Sequence, residues 1–281
     1  MKVCKTVDSL KKWRSSLPPE KSLGLVPTMG ALHQGHLSLV RQARFQNDLV
    51  IASIFVNPTQ FDRKEDLDNY PSSLDADLKM LEETGCDAVF VPSPQDVYND
   101  KVESEQFDFN GLDQVMEGSF RKGHFDGVAT IVKKLFTLVS PDRAYFGEKD
   151  FQQLQIIRKM VESEGIVVEI IPCEIYREPD GLAMSSRNRR LDPKTRVEAA
   201  LIYRTLQESK EMLSKNASFD DIREMVSKEF GSNPYLKLEY FEIAETESLR
   251  KALTYDPSKK YNAFIAAFAG PIRLIDNIAL N

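Results

Sequence analysis

Short apolar runs alternate along this chain with longer stretches in which apolar residues recur every three or four positions. LGLVPTM (23–29) and DLVIASIFV (48–56) are nearly continuous apolar runs, the second rich in β-branched side chains, as in parallel strands covered on both faces. CDAVFVPS (86–93), RAYFG (143–147) and GIVVEIIPCEI (165–175) read the same way. Between these strands the spacing predicts helices. One starts near residue 36 after a turn at Gly30, and one runs through SSLDADLKMLEETG, with Leu74, Leu78 and Leu81 on one face and Gly85 as its stop. Another covers 127–139, where Val128, Ile131, Val132, Leu135, Phe136 and Val139 keep helical spacing up to Pro141, and a further one covers 150–163.

The texture changes near residue 177. REPDGLAMSSRNRRLDP is polar, basic and turn-prone; 196–213 then predicts a helix with Ala199, Ile202, Tyr203, Leu206 and Leu213 on one side. Three strand-like runs end the chain: YLKLEYFEIAE, YNAFIAAFAG and IRLIDNIAL. The expectation is an α/β protein in which a Rossmann-like parallel-sheet domain over 1–176 is followed by a smaller C-terminal α+β domain over 177–281.

Composition narrows the function classes. Of 281 residues, 42% are hydrophobic and 28% charged, which is globular rather than disordered. A net charge of -6 argues against binding nucleic acid or an anionic membrane through the overall field, so any phosphate ligand needs a local cluster of cations. The three cysteines, Cys4, Cys86 and Cys173, form no C-x-x-C pair, so neither a disulfide framework nor a zinc ribbon is expected. MKVCKTVDSLKKW lacks a signal-peptide core, and the longest apolar run, LVIASIFV, is far short of the ~20 residues of a membrane span. A cytoplasmic protein is expected.

Open parallel sheets bind ligands beyond the carboxyl ends of their strands. Thr28-Met29-Gly30 with His33 and His36 follows the first run, and Asn57-Pro58-Thr59-Gln60 the second. Gly147-Glu148-Lys149-Asp150, with Gln152 and Gln153, follows the fourth, and the fifth leads toward Met184-Ser185-Ser186-Arg187. Two of the three histidines in the chain, His33 and His36, stand three positions apart, and three readings are open. As metal ligands they lack a nearby cysteine, and His124 is the one remaining histidine. At a helix start they would face an anion attracted by free N–H groups and the positive dipole end. As local caps they would only satisfy the turn. GEKD reads either as a nucleotide loop or as a charged cap with Asp150 at the N-cap. His124 reads as a pocket wall or a satisfied core residue, and the acidic run Asp62–Asp68 as a Mg²⁺ lure or a solvated face.

H-x-G-H after the first strand resembles the signature of the nucleotidyltransferase superfamily that includes the class I aminoacyl-tRNA synthetases. Here it lies within PTMGALHQGHLSLV and is followed in order by FVNPTQF, GHFDGVATIV, YFGEKDFQQL and DGLAMSSRN. From about residue 22 to 190 that ordered set closely resembles the pantoate–β-alanine ligase (pantothenate synthetase) family.

The resemblance implies an ATP-driven amide synthesis. Pantoate is activated as pantoyl-adenylate with release of pyrophosphate, and β-alanine then displaces AMP to give pantothenate. It makes His36, His33 and Lys149 catalytic, acting on charge that builds at the α-phosphate. In the family the second histidine, His36 here, is assigned as proton donor; charge stabilisation by an N–H is the simpler role. ATP-binding positions are Met29, Gly30, Ala31, Leu32, His33, Gln34, Gly35 and His36, then Gly147, Glu148, Lys149 and Asp150, a backbone contact at Tyr176, and finally Met184, Ser185, Ser186 and Arg187. Gln60 is implied to contact pantoate and β-alanine, and Gln153 pantoate. Asn57 and His124 border the same pocket, with Met29 against the dimethyl group of pantoate.

Magnesium is expected on the ATP phosphates rather than on protein ligands, and a homodimer is implied. The smaller domain is expected to close as a lid. Family members often carry YPR where this chain has Tyr70-Pro71-Ser72-Ser73. Two rival classes are a plain nucleotidyltransferase, which leaves its nucleotide on the product, and a non-catalytic nucleotide-binding module.

Overall fold

The computed structural model describes residues 1–61, 67, 68, 70, 73–99 and 101–281. Pro71 and Ser72 of the YPSS segment, and most of the acidic run from Asp62, lie outside the described residues. The chain separates into two compact units, residues 1–148 with 153–174, and residues 149–152 with 175–281. Residues 149–152 cluster with the second unit, a grouping that a linear reading of the chain does not contain.

In the first unit the strands are β1 (Lys2–Cys4), β2 (Leu23–Thr28), β3 (Leu49–Ile54), β4 (Ala88–Phe90), β5 (Arg143–Gly147) and β6 (Glu169–Cys173). They form one parallel sheet in the order β1-β4-β3-β2-β5-β6. Helices α1 (Val7–Ser15), α2 (Gln34–Gln46), α3 (Leu74–Glu83), α4 (Pro94–Tyr98), α5 (Met116–Phe120), α6 (His124–Val139) and α7 (Phe151–Glu164) accompany them. Strand alternation divides the core: Leu25 and Ile51 pack with Leu10, Val132, Leu135 and Ile157, while Val26, Val50 and Ala52 pack with Val40, Ala43 and Leu81. The sheet is therefore covered on both faces, as continuous apolar strands require.

β2 pairs with β3 on one side and β5 on the other. The chain moves outward from β2 through β3 to β4 and returns to the opposite side of β2 as β5. That reversal makes the carboxyl ends of β2 and β5 the switch point of the sheet, where such folds place ligands.

The second unit holds α8 (Pro193–Glu198), α9 (Leu201–Ser214), α10 (Phe219–Ser232) and an antiparallel sheet of β7 (Leu236–Glu245), β8 (Tyr261–Ala269) and β9 (Ile272–Ala279). Leu206, Phe219, Ile222, Val226 and Phe230 pack on Ile243, Ile265 and Leu274 to form its core.

Expected and observed elements differ in places. The 165–175 run is strand only over Glu169–Cys173, and Gly165, at φ 62°, still belongs to the helix exit. CDAVFVPS shortens to Ala88–Phe90. The single helix expected over 196–213 is broken at Ala199 and Ala200 into α8 and α9. The 127–139 helix starts earlier, at His124, where left-handed Gly123 (φ 75°) turns the chain into it. β1, α1, α4, α5 and α10 are additions to the expected elements. Among the described residues no helix is long and apolar enough to cross a membrane.

Candidate active site

β2 ends at Thr28, whose hydroxyl donates to the Ser53 carbonyl at 2.7 Å and accepts the Gly30 N–H at 3.2 Å. The chain then turns through left-handed Gly30 (φ 86°) and Ala31 (φ 50°). A Cβ on Gly30 would stand 3.1 Å from both Ile54 and the Asp77 carboxylate. His33 follows as the extended N-cap residue of α2 (φ -145°), and its carbonyl accepts the His36 N–H at 2.9 Å.

The His33 and His36 rings stack with centroids 4.0 Å apart. The His33 backbone N–H donates to His36 Nδ1 at 3.3 Å. A nitrogen that accepts this bond carries no proton, so the hydrogen-bond pattern assigns His36 as the neutral tautomer with its N–H at Nε2. The local contact at the helix start uses Nδ1 of His36 and leaves Nε2 as the ring's N–H. Among the described residues no group of three or more His, Cys, Asp and Glu is arranged to hold a metal ion.

Beyond β3 the chain makes a 3-10 turn at Pro58–Gln60, fixed by the preceding Asn57. Asn57 is 1% exposed, and its amide is fully used. Oδ1 accepts the Tyr98 hydroxyl at 2.6 Å and the Thr59 hydroxyl at 3.1 Å. Nδ2 donates to Gln60 Oε1 at 3.2 Å and to the Gly127 carbonyl at 3.0 Å. Gln60 Nε2 in turn donates to Met29 Sδ at 2.8 Å, which ties this turn to the end of β2.

His124 holds the same turn from α6. The guanidinium of Arg121 only donates, so at 3.0 Å its Nη1 requires His124 Nε2 to accept. His124 Nδ1 therefore carries the proton and donates to the Gln60 carbonyl at 2.8 Å. Asn57 and His124 thus both hydrogen-bond to the Pro58–Gln60 turn. Burial pushes the Tyr98 hydroxyl above its ordinary pKa, so it stays a protonated donor to Asn57.

At the end of β5 a Cβ on Gly147 would meet nothing within 4 Å, so the backbone is open to approach there. Burial, and then the charge of Glu174, raises the Glu148 carboxyl above its usual range. Gln153 is half-buried in α7.

In the second unit Lys149 lies in the 3-10 turn Glu148–Asp150 with its side chain 17% exposed, its Nζ 4.0 Å from the exposed Asp150 carboxylate. Its carbonyl accepts Asn277 Nδ2 at 3.1 Å. The adjacent Asp276 receives both Nη atoms of Arg177, at 2.6 and 3.1 Å. Arg177 also stacks 3.7 Å from the Tyr203 ring and donates to the Gly181 carbonyl at 3.0 Å. Lys149 and the segment from Arg177 are thus anchored to β9.

Within that segment the Tyr176 carbonyl accepts the Met184 N–H at 2.9 Å, and the Tyr176 ring is exposed. Ser185 caps the 3-10 turn Ser186–Arg190, its hydroxyl accepting the Arg187 N–H at 3.3 Å. Met184, Ser185 and Ser186 are half-buried; Arg187 is exposed.

Comparison with known proteins decides the family. A profile of the Pantoate-beta-alanine ligase family matches residues 2–279. The chain belongs to the pantoate–β-alanine ligase family. Pantothenate synthetase from Christiangramia forsetii is 55% identical over 262 residues, covering 93% of this chain and 92% of the relative. The crystal structure of pantothenate synthetase from Thermus thermophilus matches at TM-score 0.92 and 40% identity, over 100% of this chain and 99% of that one. Pantoate-beta-alanine ligase from Francisella tularensis, solved in complex with beta-gamma ATP and beta-alanine, matches at TM-score 0.83 and 33% identity, over 100% and 98% of the two chains.

Family membership sets aside the plain nucleotidyltransferase and the non-catalytic module: this is a ligase of the family that joins pantoate to β-alanine. Two residues that hydrogen-bond to the candidate site escape a reading of motifs, Tyr98 behind Asn57 and Asp77 beneath the H-x-G-H turn. Neither lies within a motif. Asp77 does leave a weak signal, an acid in the otherwise apolar row of Leu74, Leu78 and Leu81.

Proposed function

We propose that this ligase works through pantoyl-adenylate. A carboxylate oxygen of pantoate attacks the α-phosphorus of ATP, an O–P bond forms, and the bond to the bridging oxygen breaks as pyrophosphate leaves. The neutral amine of β-alanine then attacks the acyl carbon. The C–O bond to AMP breaks, the nitrogen gives up its proton, and pantothenate and AMP remain.

The observation that carries this reading is the tautomer of His36. Its single N–H, at Nε2, belongs to a ring fixed by the His33 amide at the switch point of the sheet. A neutral donor held in place before the reaction stabilises charge on the phosphate oxygens without reorganising. His33 is the second donor of the pair, and Lys149 supplies the cation.

The residues Met29 to His36, Gly147 to Asp150, Tyr176, and Met184 to Arg187 are proposed to bind the nucleotide. Gln60 and Gln153 are proposed to bind pantoate, and Gln60 also β-alanine. Asn57 and His124 are proposed to border the same pantoate pocket, where their hydrogen bonds also hold the Gln60 turn. The donors proposed for the phosphates are N–H, ammonium, guanidinium and hydroxyl groups, a set that suits Mg²⁺ carried by the nucleotide, where it spreads the triphosphate charge.

The second unit is proposed as a lid, because a reactive adenylate has to be kept from water. Matching scattering profiles with and without ATP plus pantoate would remove that part. The family resemblance also supports a homodimer, tested by light scattering in solution. A cytoplasmic setting agrees with three free buried cysteines, two of them, Cys86 and Cys173, pushed up to about 12 by burial.

The test of the reaction is isotope exchange between pyrophosphate and ATP. It is expected only when pantoate is present, with AMP released once β-alanine is added. ADP formation, or exchange without pantoate, contradicts the proposal.

A further inference from the structure

Asp77 is a buried carboxylate that the chemistry above does not use. It lies at the start of α3 with 1% of its surface exposed. Its Oδ2 accepts the Ala31 N–H at 2.8 Å, and its Oδ1 accepts the Leu32 N–H at 2.9 Å and the Ser73 hydroxyl at 3.0 Å. These two amides belong to the left-handed turn that delivers His33 to α2. Successive N–H groups in such a turn form a concave anion site of the kind that cradles phosphates. Here the anion is the protein's own.

We propose that Asp77 is the positioning residue of the histidine pair. Its carboxylate fills the anion site at Ala31 and Leu32, so these two amides are taken before any phosphate arrives. Left-handed backbone is unfavourable for a residue with a Cβ, and charge-assisted hydrogen bonds hold Ala31 there. The spacing from Ala31 to His33 is two residues, so a shift of the turn moves the His33 amide and with it the bond that defines the His36 ring. Asn at this position keeps the shape but turns an NH2 group toward one of the two amides, leaving one buried donor opposed by another. The inference rests on the reading of His33 and His36 as phosphate donors.

Two measurements test it. In the unmodified enzyme without nucleotide, the Ala31 and Leu32 amides are expected to be protected from hydrogen exchange; fast exchange at both overturns the proposal. In Asp77→Asn, pantoate-dependent pyrophosphate exchange is expected to lose about tenfold or more in kcat, while the KM for ATP moves by less than about threefold.

Long-range ¹H–¹⁵N spectra of the histidines, three in all, give the readout that a merely structural role would not move. The His36 ring is expected to leave its Nε2–H tautomer for a mixture in Asp77→Asn. Unchanged exchange kinetics, or a lowered kcat with His36 signals as in the unmodified enzyme, overturns the proposal. If Asp77→Asn does not fold, amide protection in the unmodified protein decides. Absence of pantoate-dependent exchange in the unmodified enzyme would instead sink the adenylate reading, leaving the amide and ring measurements to judge Asp77.

Discussion

His36 and His124 hold opposite tautomers, with the proton at Nε2 in the first and at Nδ1 in the second. The His33 N–H makes the choice for His36, and the Arg121 guanidinium together with the Gln60 carbonyl makes it for His124. The difference separates their proposed work: His36 is proposed to offer its N–H to developing phosphate charge, while His124 holds the Pro58–Gln60 turn. Removing one such donor typically costs about 10²–10³ in rate. His36→Ala is therefore expected to slow pantoate-dependent pyrophosphate exchange by about that factor while its circular dichroism and unfolding midpoint stay near those of the parent. Stopped mixing with both proteins checks it, and a parental exchange rate would contradict the role.

At the scale of elements, the position of Gln60 depends on how closely the turn after β3 lies on α6. A Cβ on Gly127 would stand 2.3 Å from the Thr59 carbonyl oxygen and 2.8 Å from the Gln60 Cα, so neither backbone can make room without moving. Gly127→Ala is expected to lose about 1–3 kcal/mol of stability by urea titration. It should also raise the KM for pantoate, because Gln60 moves with the turn. A variant unchanged in both would show that the contact is not needed.

This packing also explains what the sequence could and could not reveal. Strands that cross the middle of the sheet, β2, β3 and β5, are apolar on both faces and legible as runs. β1 is three residues long and α1 buries only Leu10 fully, so both fall below any periodic signal. α10 does carry the pattern, with Phe219, Ile222, Val226 and Phe230 buried and Ser218 and Asp221 forming a capping box. Its absence from the expected elements is therefore no limit of the sequence. The break at Ala199 and Ala200 has no such mark, since alanine favours helix.

Motif residues are legible because the chemistry gathers unusual residue types at strand ends. Tyr98 and Asp77 reach their partners across 41 and 46 residues of chain, a juxtaposition that only folding creates.

For the whole molecule, ion pairs and helix caps shift individual carboxyl groups, which gives stability its pH dependence. Arg196 holds Asp180 below its usual carboxylate value through a direct hydrogen bond. A carboxyl with a folded value below its unfolded value of about 3.8 contributes its full stabilisation above that pH and loses it as pH falls through the folded value. Asp126 and Glu148, raised by burial, act in the opposite sense and weaken the fold where they ionise. Arg196→Gln should thus be less stable than the parent at neutral pH, with the difference closing as pH drops toward about 2. Urea midpoints across that range check this, and a gap that stays constant would contradict the pairing.

Formation of an acyl-adenylate is the event around which the two histidines, Lys149 and Gln60 are proposed to act. Pantoate labelled with ¹⁸O in its carboxylate reports it directly by mass spectrometry of the products. Attack by that carboxylate on the α-phosphorus, followed by loss of AMP to β-alanine, transfers one labelled oxygen into the phosphate of AMP. Label in AMP is the expected result; unlabelled AMP, or label appearing instead in pyrophosphate or inorganic phosphate, would contradict it.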